Sequence, residues 1–159
     1  EASFTDAEIK TSLSKFLEMD ARSGCDSLLD YLSEQGLLGN IPYASTVSDN
    51  GVVTTNVKFS DYKKAMLNYV SEDYFNKGWT SPQNFYENDE GYLVKVQGGG
   101  GLVEYTINSI SKIDDTTYLA NTTAKLVDLD DSTESRMFNF SVSSYNGKCV
   151  IDSFEYASN

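Results

Sequence analysis

The sequence predicts one α+β domain over residues 1–159, with N-terminal helices packed on one face of a curved antiparallel meander sheet of about five strands. Two patterns lead there. The first half carries apolar residues at helical spacing, whereas from Tyr92 onward the period falls to the two-residue alternation of strands. Turn chemistry then recurs at Gly98–Gly101, Asp114-Asp115, Asp130-Asp131-Ser132 and Asn146-Gly147. Length agrees, since a chain of 159 residues buries roughly 68–70% of its unfolded surface, enough for a core.

The first helix starts at Thr5-Asp6-Ala7-Glu8, a capping box in which the Thr hydroxyl accepts an amide three residues on and the Glu carboxylate reaches back. Ile9, Leu13, Phe16, Leu17 and Asp20 form its stripe, and Ser23-Gly24 interrupts it. A second helix carries Cys25, Leu28, Leu29 and Leu32 on one face and ends at Gly36, the residue suited to a left-handed stop. Gly39 to Thr55, with Pro42 and Asn50-Gly51, reads as irregular chain with a short hairpin. Ser60 or Asp61 caps a third helix with Tyr62, Ala65, Met66, Tyr69 and Val70 on its apolar face, and Ser71 caps a short turn ending at Gly78. "VKVQGGGGLVEY", Val94 to Tyr105, reads as a hairpin or bulge between strands: a phosphate loop needs its glycines to open a helix, and these lead into a strand. Asn146-Gly147 is the strongest hairpin signal, because both residues tolerate the positive φ of a type I′ turn.

Composition excludes several function classes. Lys and Arg number 12 against 24 Asp and Glu, and a net charge of −12 repels nucleic-acid phosphates and anionic lipid, so no nucleic-acid partner is expected. Histidine is absent, which removes the commonest general base and metal ligand and every Ser-His or Cys-His nucleophile pair. No apolar run reaches the roughly 18 residues of a membrane span. Cys25 and Cys149 are either buried thiols or one long-range disulfide, and buried thiols are the reading taken. The opening Glu1-Ala-Ser-Phe lacks a Met, which predicts a removed secretory or lipoprotein leader and an extracytoplasmic location.

"FLEMDARSGCDSLLDYLSE" and the later "YVSEDYF", followed by the strand series, resemble the nuclear transport factor two-like (cystatin-like) superfamily. The Asn-, Tyr- and Ser-rich texture is similar to its small extracytoplasmic domains in Gram-positive bacteria. The resemblance implies a cone-shaped α+β fold. In that superfamily ketosteroid isomerases and dehydratases line an apolar pocket with acidic, Tyr or His groups, and many other members catalyse nothing. The absence of His departs from the His-using dehydratases.

Candidate site residues follow from strand alternation. Tyr105 and Ile107 join Tyr118, Ala120, Thr122, Ala124 and Leu126 and the run Phe138, Phe140, Val142 on the core face, so Tyr105, Tyr118, Phe138 and Phe140 are pocket-lining candidates; ordinary core packing explains them equally. Trp79, where helices hand over to sheet, either lines a pocket mouth or plugs the core. Asp152 is the weak catalytic candidate. With Val150, Phe154 and Tyr156 facing inward it sits among aromatics with a raised pKa, able with a Tyr to abstract a proton beside a carbonyl. The opposite register buries Cys149 and Ile151 and leaves Asp152 in water. "DLDDSTES" has calcium-like alternation at Asp128, Asp130 and Ser132 but Thr133 and Asn139 where an EF-hand needs Gly and Glu, so no metal site is expected. No cofactor is expected either. The functional expectation is a noncatalytic extracytoplasmic module that binds a protein partner or a small apolar ligand, with an isomerase-like or hydro-lyase-like enzyme as the alternative. An open strand edge allows a homodimer.

Overall fold

The computed structural model describes residues 3–23, 27–39, 44–79, 85–96, 101–127 and 130–157. Its elements are α1 (Asp6–Ser23), α2 (Leu28–Glu34), β1 (Ser45–Val47), β2 (Val52–Lys58), α3 (Phe59–Met66), α4 (Glu72–Tyr74), a π-helical turn (Phe75–Trp79), β3 (Phe85–Glu87), β4 (Tyr92–Val96), β5 (Val103–Lys112), β6 (Tyr118–Leu126), β7 (Thr133–Tyr145) and β8 (Lys148–Tyr156). The architecture is α+β, with two antiparallel sheets of four strands each, ordered β1-β2-β4-β3 and β5-β6-β7-β8.

Helix boundaries follow side-chain chemistry. The capping box opens α1: Glu8 N donates to Thr5 Oγ1 at 3.1 Å, and Thr5 N donates to Glu8 Oε1 at 2.9 Å. After α2, Gly36 takes φ +74° and Leu37 N donates to Leu32 O at 3.0 Å, closing the helix on its own last turn. The start of α3 departs from expectation: Lys58 is the N-cap and no side chain caps it. The physical reason is tertiary. Phe59 N donates to Gly91 O at 2.9 Å, so a carbonyl from the β3–β4 turn satisfies the first amide of a helix that begins ahead of both expected caps.

The single five-strand meander is corrected. β4 pairs with β2 and β3, through a turn in which Asn88 Oδ1 accepts from Glu90 N and Tyr92 N, and only β5 to β8 form a meander. Leu93, Val94 and Lys95 are all buried, so β4 is covered on both faces and belongs in the middle of its own sheet. β4 and β5 belong to different sheets, and the hairpin or bulge expected at the glycine run falls on residues 97–100, which lie outside the described residues. The other turns form as expected. Asn146 and Gly147 both have positive φ (51° and 78°), as does Asp131 (56°), and Gly51 (80°) turns the β1–β2 hairpin.

Both sheets feed one buried cluster. Val57, Phe85 and Leu93 of the first sheet join it beneath α3, whose Tyr62 stacks on Phe85 with ring centroids 5.6 Å apart. In the second sheet α1 packs across β5 and β8 and presents Ile9, Leu13, Phe16 and Leu17. β6 offers only Ala120, Thr122 and Ala124 at this point, all fully buried, so rings from neighbouring strands lean over them. Phe138 lies 5.7 Å from Tyr105, 4.5 Å from Phe154 and 4.9 Å from Tyr156, while Phe154 lies 4.7 Å from Phe16. The Phe138 ring is thus expected to be a large contributor to stability: Phe138→Ala costs about 3–5 kcal/mol by transfer and cavity terms. Urea unfolding checks this, and a loss under about 1 kcal/mol would refute the packing.

Candidate functional site

The last strand carries a bulge where the sequence places its only catalytic candidate. Val142 pairs with Ile151 and Ser141 with Ser153, so Asp152 is the extra residue. Neither expected register holds, because the bulge shifts the alternation within the strand. Ile151 is fully buried and Phe154 packs inward on Phe16, while Asp152 is half-exposed beside a shallow cleft it shares with Tyr74, Lys77 and Glu155.

Asp152 has a defined partner. Ser71 Oγ donates to Asp152 Oδ1 at 2.6 Å and accepts from Tyr74 N at 3.1 Å, capping α4. The chain beside it is bound to the same strand by backbone: Ile151 N donates to Tyr69 O at 2.9 Å, and Ser71 N to Ile151 O at 2.8 Å. The carboxylate thus orients a cap that ties the helical half to the edge of β8. Ser71→Ala is expected to lose about 1–2 kcal/mol in urea unfolding, and Asp152→Asn, which keeps an acceptor oxygen, about half as much or less. A larger loss for Asp152→Asn than for Ser71→Ala would contradict this division of labour.

The other expected residues separate into core and rim. Phe138 and Phe140 are 1% and 0% exposed, with Tyr118 stacked on Phe140 at 5.5 Å. Tyr105 and Tyr118 each border a groove between α1 and β5, of about 400 Å³ beside Leu17 and Arg22 and of about 460 Å³ beside Phe4 and Ile9. Trp79 closes the π-helical turn, and its side chain lies outside the described residues, as do Cys25 and Asp128. Cys149 is a free thiol whose pKa is pushed up by burial. Among the described residues no group of His, Cys, Asp and Glu is gathered to hold a metal, and no helix is long and apolar enough to cross a membrane.

A residue the sequence reading used only to mark the end of a stripe is chemically more unusual. Asp20 lies one turn beyond Phe16 on the face of α1 that meets the aromatic cluster. Burial lifts its carboxyl from 3.8 to about 6, although the residue keeps partial exposure. Its backbone carbonyl accepts from Ser23 Oγ at 2.7 Å, and its carboxyl has no hydrogen bond or ion pair among the described residues. Its charge reaches two phenols: Tyr74, pushed up to about 12 by burial and then by Asp20, and Tyr105, raised first by burial and restrained by Arg136. Arg136 Nη1 donates to Tyr105 OH at 2.9 Å, and its Nε donates to Glu134 Oε2 at 2.9 Å. Asp20, Tyr74, Tyr105, Arg136 and the exposed Tyr156 therefore collect at one end of the aromatic cluster. The stripe spacing in α1 pointed Asp20 inward; what it lacked was the position of Tyr74 and Tyr105 across from it.

No protein-family model, curated protein or solved structure matches the chain.

Because the folded state holds the Asp20 proton more tightly than the unfolded chain, its stabilising contribution is complete below about pH 3.8 and is lost as pH rises through about 6. Discounted for partial exposure, the loss is roughly 2 kcal/mol. Asp20→Asn is expected to gain that amount over wild type at pH 7.5 and little at pH 4, read by urea unfolding at both. Equal gains at the two pH values, or none, would show that the carboxyl is not strained by burial.

Proposed function

We propose that this chain is a noncatalytic extracytoplasmic binding module of the nuclear transport factor two-like type. The observation that supports it is that rings fill the space between sheet and helices where a reaction cavity would have to be: Phe16 and Phe138 are 0% and 1% exposed, and Phe154 is wedged between them. The Asp152 carboxylate is engaged with a helix cap, which gives it a structural task. Recognition falls to the rim, where Tyr105, Arg136 and Tyr156 stand at the border of the packed cluster, and to the grooves beside β5. The chain opens with α1 and α2 and ends in the β5–β8 antiparallel meander, and these two features are in keeping with the superfamily resemblance.

A second reading draws on Asp20. A carboxyl held near pH 6 beside two tyrosines is the chemistry of proton abstraction next to a carbonyl, and it gives the isomerase-like or hydro-lyase-like alternative a better base than Asp152. One experiment separates the two. The protein is incubated in D2O with a panel of small ketones and β-hydroxy acids, and deuterium entering the α-carbon is followed by NMR. The binding module leaves all of them unlabelled above the buffer rate. Labelling that disappears in Asp20→Asn would overturn it in favour of the enzyme.

A further inference from the structure

Between the start of α1 and the second half of β5 runs a groove of about 460 Å³. That volume falls within the roughly 300–1,000 Å³ typical of small-molecule sites. Both elements supply its apolar wall. Phe4 and Ile9 hold the two positions that flank the capping box as a hydrophobic staple, and Phe4 packs against the core. From β5 come Ile107 and Ile110, three apart in sequence, which a regular strand would send to opposite faces. The register step between Ile107 and Ser109 turns both toward the groove, where each is half-buried. The β5–β6 ladder is interrupted there, and the groove gains a second isoleucine.

The charge of the groove runs against that of the chain. Lys10 and Lys112 line it with one carboxylate, Asp6, in a protein of net charge −12. Lys63 and Lys77 are ion-paired with Glu72 and Asp73, whereas the Nζ of neither Lys10 nor Lys112 has a hydrogen bond or ion pair among the described residues. Lys112 lies directly across the strand pair from Tyr118, so the two side chains share a face. Tyr118 is fixed by stacking on Phe140 at 5.5 Å, and its hydroxyl has no hydrogen bond among the described residues. An unpaired ammonium and an unpaired hydroxyl therefore neighbour each other where β5 ends, beside an apolar trough. From this placement we infer that the groove binds a small monocarboxylic acid with an apolar chain, its carboxylate taken by Lys112 Nζ and the Tyr118 hydroxyl and its chain laid along Ile110, Ile107 and Ile9. Charge-assisted bonds hold the head, burial holds the chain, and Lys10 on the facing helix adds to the attraction for an anion. The inference rests on the reading of the domain as a binder and supplies the class of ligand.

Four probes dissect it in the intact protein by isothermal titration calorimetry at pH 7.5 and low salt, all below their micelle concentrations: decanoate, octanoate, decylamine and acetate. Wild type binds decanoate roughly tenfold more tightly than decylamine and about fivefold more tightly than octanoate, and acetate gives no heat. Lys112→Gln weakens decanoate about fivefold, Tyr118→Phe about threefold, and Lys112→Glu makes decylamine the tighter ligand, with thermal melts establishing that each variant is folded. Amide NMR shifts on saturation with decanoate centre on residues 4–10 and 107–112. If decylamine binds wild type as tightly as decanoate, if Lys112→Glu keeps the preference for decanoate, or if the shifts fall elsewhere, the carboxylate site is overturned while the domain remains a binder. If none of the four probes binds, this site is overturned, and the binding reading is then judged on the deuterium experiment alone.

Discussion

Ala120, Thr122 and Ala124 leave the middle strand of the β5–β8 sheet too shallow to fill its own share of the core, and rings from β5, β7, β8 and α1 have to cover it. Small residues in the centre and rings at the flanks are two halves of one packing solution, since large side chains on β6 would collide with Phe138 and Tyr105. The arrangement leaves little free volume at the sheet centre. It also carries the hydroxyl of Tyr105 to the margin of the cluster, where Arg136 Nη1 donates to it.

The bulge at Asp152 serves the same end from the other side. By placing one extra residue in β8, it lets Ile151 and Phe154 both turn inward, which a regular strand forbids for residues three apart. The displaced carboxylate then meets Ser71, and the backbone of Tyr69 to Ser71 runs alongside β8 as a short parallel partner. One irregularity joins the helical half of the chain to the sheet, at Ile151 on the edge of β8.

Much of this was legible in the residues. The capping box at Thr5, the stop at Gly36 and the hairpin at Asn146-Gly147 depend on neighbours a few positions away, and each formed as its local chemistry requires. The inward faces of β6 and β7 were legible too, because a period of two needs no knowledge of partners. The assignments that failed depend on distant chain. β4 left the meander because it found partners upstream, and the cap of α3 moved because Gly91 arrived from another turn. A bulge is invisible to a period-two template, so both registers considered for β8 were wrong in the same way. The candidate site was the least legible part: Asp20 becomes unusual only once the fold buries its carboxyl.

β5 is the other edge of this sheet, ten residues long and flanked by grooves. A straight unpaired strand of that length is a template on which further copies can add without limit. Here the register steps at Asn108, between Ile107 and Ser109, and the Asn108 amide folds back to donate to Thr123 Oγ1 at 3.0 Å and Asn121 Oδ1 at 3.3 Å. The run is thereby divided at Asn108 into two shorter stretches of regular pairing. A bulge of this kind is one of the devices by which edge strands discourage pairing with further copies.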